Sequence, residues 1–167
     1  DNARFIAELL RSHEAVAVTW VGVTSKEIER LIPSDLAPRV RALPSYRPDE
    51  TGELFRSHAV VVLLSRFEGL PLALLEAMSH GCVVVGTAIG GVEELASVSG
   101  GAVAVGDITS AVTAVTTALD ASTWSELSRR SAQESRKFAP SRIVDILEDN
   151  YRRAIAAKAA RGEATRK

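Results

Sequence analysis

The residues of this chain best suited to chemistry lie in the stretch Ser65-Arg66-Phe67-Glu68-Gly69-Leu70-Pro71-Leu72. It follows the apolar run 59–64 and opens a helical segment, so it reads as a strand-to-helix turn. In an open parallel sheet, ligands bind outside the carboxyl ends of the strands, where such turns gather. Gly69 lets the backbone approach a ligand with no Cβ in the way. Pro71 suits the first helical position, where its missing N–H is not needed. The free N–H groups of that first turn and the positive end of the helix dipole match a phosphate. A glycine and a proline would equally punctuate an ordinary turn.

Glu76 is the second candidate, because it is the only acidic residue from Gly69 to Gly86 and its helix is otherwise built from Leu72, Leu74, Leu75, Ala77 and Met78. A carboxylate there needs water or a partner, since burying it unpaired is strongly destabilising. A pair of ligand hydroxyls would serve. A solvated stripe of Ala73, Glu76 and His80 at helical spacing would serve as well. Arg66 lies beside the turn, where it is either a surface residue or a phosphate partner. Cys82 reads as a small core side chain, His80 as a helix end, and Trp20 and Trp124 as packing residues. The cluster of Arg129, Arg130, Arg136 and Lys137 alternates with Glu126 and Glu134, as on a solvated helix face.

These residues need a scaffold, and the pattern supplies one. Valine-rich runs at 15–21, 39–43, 59–64, 82–85 and 102–105 read as strands, too apolar to face water on either side. Helical stretches at 25–32, 49–57, 71–80, 92–96 and 107–119 alternate with them. That alternation predicts an α/β domain with a doubly wound parallel sheet of Rossmann-like type. Beyond 119 the strands stop, and 123–138 and 141–160 read as two helices separated at Pro140. One domain over 1–157 and a charged, disordered tail over 158–167 are the expected organisation.

The bulk composition excludes several classes. The chain has 167 residues, 46% of them hydrophobic and 25% charged, and a net charge of -1, which gives nucleic acid no basic surface to bind. One cysteine forms no internal disulfide, and with three histidines it assembles no zinc site, so a reducing cytoplasm is the expected location. No apolar run approaches the roughly 20 residues that span a bilayer. No transmembrane segment is expected, and peripheral membrane association stays open.

Glu68 and Glu76, with seven residues between them, stand in the run Glu68-Gly69-Leu70-Pro71-Leu72-Ala73-Leu74-Leu75-Glu76-Ala77-Met78. Gly81, Val84-Val85 and Gly90-Gly91-Val92-Glu93-Glu94-Leu95 follow. This sequence resembles the group 1 glycosyltransferases, the retaining GT-B enzymes of family four. The resemblance implies the C-terminal, donor-binding half of a GT-B fold, with its first strand missing and the chain opening inside the first helix. It implies that Glu76 accepts hydrogen bonds from the ribose of a nucleotide-sugar donor. Glu68 would be the catalytic residue beside the transferred sugar, with the backbone of Gly69, Leu70, Pro71 and Leu72 over the sugar and diphosphate. Ser65 and Arg66 would flank that site, and Tyr46, ending the stretch 40–46, would lie beside the nucleobase.

By the same resemblance the reaction is transfer of a hexosyl group, with retention, to a glycan, lipid or small-molecule acceptor held by a missing N-terminal domain. It uses no metal and no cofactor. The family's Arg and Lys-Gly pair ahead of the first helix have no counterpart here, so this fragment alone is expected to be inactive. Gly22-Val23-Thr24 also departs from the family's second glycine, and Val83 and Glu93 replace common prolines. Two other functions fit part of the pattern: a non-catalytic nucleotide-binding module, and a sugar-nucleotide epimerase of similar fold. A Rossmann dehydrogenase does not fit, because no Gly-x-Gly-x-x-Gly follows the first strand.

Overall fold

The computed structural model describes the backbone of residues 1–164 and the side chains through Lys158. Five short strands alternate with helices. They are β1 (Val18–Val21), β2 (Val40–Leu43), β3 (Val60–Leu63), β4 (Val83–Thr87) and β5 (Gly101–Val103). Helix α1 (Asn2–Ser12) precedes β1, and α2 (Ser25–Leu31), α3 (Thr51–Arg56), α4 (Leu72–Ser79) and α5 (Gly90–Ser97) fill the connections. After β5 come α6 (Ile108–Leu119), α7 (Ala121–Ser135) and α8 (Pro140–Ala164).

All the strand pairs are parallel. In β4 the side chains alternate between two cores: Val85 packs with Phe5, Leu10, Ala111 and Val115 of α1 and α6, while Val84 packs with Leu74, Met78, Val92 and Leu95 of α4 and α5. Both faces of the sheet are therefore covered, which is why its strands are continuous runs of valine rather than alternating polar and apolar residues. The chain is a doubly wound α/β domain of Rossmann-like type.

The ladder is interrupted, however. β1 pairs only with β2, and β3, β4 and β5 form a second sheet, with no ladder joining β1 to β3 among the described residues. The two sheets still share one core under α1 and α6, where Val18 and Trp20 of β1 meet the same cluster as Val60 and Val62 of β3.

Several boundaries differ from those the sequence suggests. The first strand was expected from 15 but begins at Val18. The Arg39 guanidinium takes the carbonyls of Leu10 (2.8 Å), His13 and Val16 (3.0 Å from Nε), so those groups are spent on closing α1 instead of pairing in a sheet. Helix α2 starts where expected, because Thr24 and Glu27 form a reciprocal capping box. Helix α5 starts at Gly90, two residues before the apolar pattern does. The two C-terminal helical segments are separated where expected, at the extended Ala139, and Pro140 itself begins α8, where a proline lacks no needed donor. The backbone of α8 continues to Ala164, past the start of the expected tail at 158, and the last residues of that tail, 165–167, lie outside the described residues. No helix among the described residues is long and apolar enough to cross a membrane.

Candidate functional site

The site is built on the loop between β3 and α4. Two contacts hold its backbone and a third fixes a side chain on it: the Thr87 hydroxyl at the end of β4 donates to the Ser65 carbonyl at 2.6 Å, the Gly91 N–H donates to the Gly69 carbonyl at 2.8 Å, and the Ser65 hydroxyl donates to Glu68 Oε1 at 2.9 Å. The last contact occupies one oxygen of Glu68. The other has no partner among the described residues, and the half-buried side chain presents it at the loop.

The contact with α5 requires glycines. A Cβ on Gly90 would lie 2.3 Å from the Glu68 carbonyl oxygen, and one on Gly91 would lie 2.8 Å from that of Gly69. Gly90 also adopts a left-handed φ of 44°. The sequence shows these adjacent glycines at a helix start, but only the fold shows that they clamp the loop carrying Glu68. Thr87, 1% exposed, was likewise missed, since a threonine at a strand end carries no signal of its own.

Pro71 is the N-cap of α4 (φ -74°, ψ 115°) rather than its first helical residue, because its extended ψ keeps it just outside the helix. Its carbonyl accepts from Leu74 N at 3.1 Å, and no side chain caps the turn. The N–H groups of Leu72 and Ala73 therefore point out of the helix end without a capping side chain, as an anion would require. Leu72 and Leu70 are exposed, and Phe67, to which the sequence assigns no role, is 92% exposed. Gly69 has open space where its Cβ would be.

Glu76 is exposed on the second turn of α4, and its carboxylate meets neither a cation nor a donor among the described residues. Tyr46 stands near it, with its ring edge-on to Phe55 at 6.3 Å between centroids. Burial, and secondarily the negative charge of Glu76, hold the Tyr46 phenol above its ordinary pKa. The fold thus brings Tyr46, 30 positions upstream in sequence, to the face of α4 that carries Glu76. Arg66 does not turn into the loop. Its guanidinium pairs with Asp1 at 2.9 Å, in an exposed bridge of the kind that contributes little to stability.

The remaining singled-out residues are structural. His80 caps the C-terminus of α4, with Nδ1 2.9 Å from the Glu76 carbonyl. Cys82 is buried and its thiol donates to the Phe55 carbonyl at 3.1 Å; burial raises its pKa to about 11. Trp124 Nε1 donates to the Ala59 carbonyl at 3.1 Å, and Trp20 packs on the shared core.

The family model described as glycosyl transferases group 1 matches residues 3–121, a span that takes in every strand, the site loop and α4. The chain belongs to that family. The comparison with curated proteins finds no match. As a group 1 glycosyltransferase, the protein acts in glycosyl transfer between a sugar donor and an acceptor. In this glycosyltransferase α7 after its first residue, and all of α8, lie beyond the matched span.

Proposed function

We propose that this chain is the donor-binding domain of a retaining glycosyltransferase that transfers a hexosyl group from a nucleoside-diphosphate sugar. The observation that carries the reading is the open end of α4, where uncapped N–H groups stand between two carboxylates, Glu68 three positions before Pro71 and Glu76 five after it. A diphosphate fits the helix end, whose dipole and free N–H groups favour negative charge. Glu76, exposed and unpaired, is suited to accept from two ribose hydroxyls, with Tyr46 near the base. Glu68, fixed through Ser65, is suited to accept from hydroxyls of the sugar. Gly69, Leu70, Pro71 and Leu72 form the floor under the sugar and diphosphate, and Arg66 is free to leave its exposed partner for the phosphate.

In the reaction the bond from the anomeric carbon to the diphosphate breaks, and a bond to the acceptor oxygen forms on the same face. The acceptor proton leaves with the diphosphate. Electrostatic stabilisation of that leaving group is the main task, and the helix end contributes about half a positive charge. We assign no metal or cofactor to the site. The acceptor would be a glycan, lipid or small molecule held by a further domain, and the enzyme would work in the cytoplasm.

Two variants of the full-length enzyme test the division of roles. Glu76→Gln should weaken nucleoside diphosphate binding about 10- to 100-fold, the loss of charge-assisted bonds of roughly 1.5 to 3 kcal/mol. Glu68→Gln should leave that affinity nearly intact and greatly lower turnover. Calorimetric titration and a transfer assay read the two effects, and equal losses in both quantities for both variants would refute the assignment.

A further inference from the structure

Two hydroxyls in series connect the core of the sheet to the Glu68 carboxylate. Thr87 closes β4 with 1% of its surface exposed, and its backbone is fixed twice: it pairs with Val103 of β5, and its carbonyl accepts from Ile89 N at 2.8 Å. Gly86 beside it packs so closely that a Cβ there would lie 2.4 Å from Val92 Cγ1. The Thr87 hydroxyl is thus a donor with little freedom to move, and it holds the Ser65 carbonyl at 2.6 Å. Ser65 in turn donates its own hydroxyl to Glu68 Oε1 at 2.9 Å, and Oε2 has no partner among the described residues.

We infer that Ser65, held by Thr87, makes Glu68 a one-oxygen acceptor, and that these two residues thereby set which epimer of the transferred hexose the site takes. This rests on the reading of Glu68 as the residue that faces the sugar. The last torsion of a glutamate is broad, so a carboxylate with both oxygens free can turn to follow a hydroxyl of either configuration or bridge two neighbouring hydroxyls. Glu68 can do so only by giving up the charge-assisted bond from Ser65. With Oε2 alone open, a sugar hydroxyl must reach one fixed oxygen. The epimer that carries that hydroxyl on the other side of its ring leaves the charged oxygen without its donor. A lost hydrogen bond to a charged group corresponds to selectivity of about 10- to 100-fold. Ser65 and Thr87 act as positioning residues, since each hydroxyl is already engaged by a protein acceptor and reaches the sugar only through Glu68.

The test compares kcat/KM of the enzyme for glucose, galactose and mannose carried on UDP, GDP, ADP and dTDP; galactose and mannose differ from glucose only at C4 and at C2. The parent should prefer one epimer of a pair by at least about 10-fold, and Ser65→Ala, which frees Oε1, should bring that ratio to within about 3-fold of unity. Thr87→Val should lower the ratio in the same direction, and Thr87→Ser, which restores the hydroxyl, should recover it. A ratio of two rates from one sample does not depend on how much of the sample is folded, so a loss of stability alone leaves it unchanged. NMR relaxation of the Glu68 Cγ methylene, assigned by its loss in Glu68→Gln, gives a second readout: its order should fall in Ser65→Ala and Thr87→Val and return in Thr87→Ser.

The inference is overturned by a parent that does not discriminate epimers, or by a Ser65→Ala enzyme that keeps the parental ratio. It is also overturned if Thr87→Ser fails to recover what Thr87→Val loses, or if Glu68 is as ordered in Ser65→Ala as in the parent. Failure of the donor reading looks different. If none of these donors reacts, the hexosyl assignment falls and takes the epimer selection with it, while the relaxation measurement still decides whether the two hydroxyls hold Glu68.

Discussion

Replacing Gly90 by alanine should both destabilise the domain and disorder the site. The new Cβ would stand 2.3 Å from the Glu68 carbonyl oxygen, which is backbone and cannot rotate away, so the loop must retreat by roughly 1 Å to restore ordinary contact. Alanine at a φ of 44° adds left-handed strain of about 1–2 kcal/mol. Overpacking a tight contact adds about 1–3 kcal/mol. Together they reach about 2–5 kcal/mol, a large share of the 5–15 kcal/mol typical of a whole domain. Retreat of the loop would also weaken the 2.8 Å bond from Gly91 to Gly69 and shift Glu68. Urea unfolding reads the stability, and calorimetry with nucleoside diphosphate reads the site. Gly69→Ala is the matched control, since its Cβ would meet open space: stability should change by less than about 0.5 kcal/mol while ligand affinity falls. A Gly90→Ala protein with the parental urea midpoint and affinity would refute the clamp described for this loop.

Other outcomes follow from individual contacts. Thr24→Ala removes the side-chain half of the capping box at α2, the acceptor for Glu27 N–H, and should lower stability by about 1 kcal/mol in urea unfolding; no change would mean that water caps the helix as well. Cys82, with a pKa raised to about 11 by burial, should resist iodoacetamide at pH 8 until the chain unfolds. Its folded pKa lies above the unfolded value, and the neutral thiol is the form stabilised in the fold. Stability should therefore fall as pH climbs from about 9 toward 11, and less so in Cys82→Ala. Asp120, held down to about 2 first by the Ser122 hydroxyl and then by the Thr123 N–H, contributes stability above its unfolded value that is lost as pH falls through about 2. NMR titration should find that low value and find it raised in Ser122→Ala.

Local pattern made much of this protein legible from its sequence. Continuous valine-rich runs locate all five strands and period-3.6 apolar spacing the helices between them, because both signals are written in residues that are neighbours along the chain. The β3–α4 loop with Glu68, and Glu76 on the helix that follows, were visible for the same reason: Glu68, Gly69, Pro71 and Glu76 lie within nine consecutive positions. Contacts between distant segments were not visible in this way. Arg39 shortens β1 by binding carbonyls 23 to 29 positions upstream, and Thr87 holds Ser65 from 22 positions downstream. Tyr46 gains its position beside Glu76 through the packing of α3 against α4, and the need for glycine at Gly90 exists only because α5 meets the site loop there. The interruption between β1 and β3 is of the same kind, since an apolar strand is written identically whether one or both of its edges are paired. Side-chain spacing is a property of the local backbone and can be read along the chain, whereas which edges and carbonyls find partners depends on segments brought together only by folding.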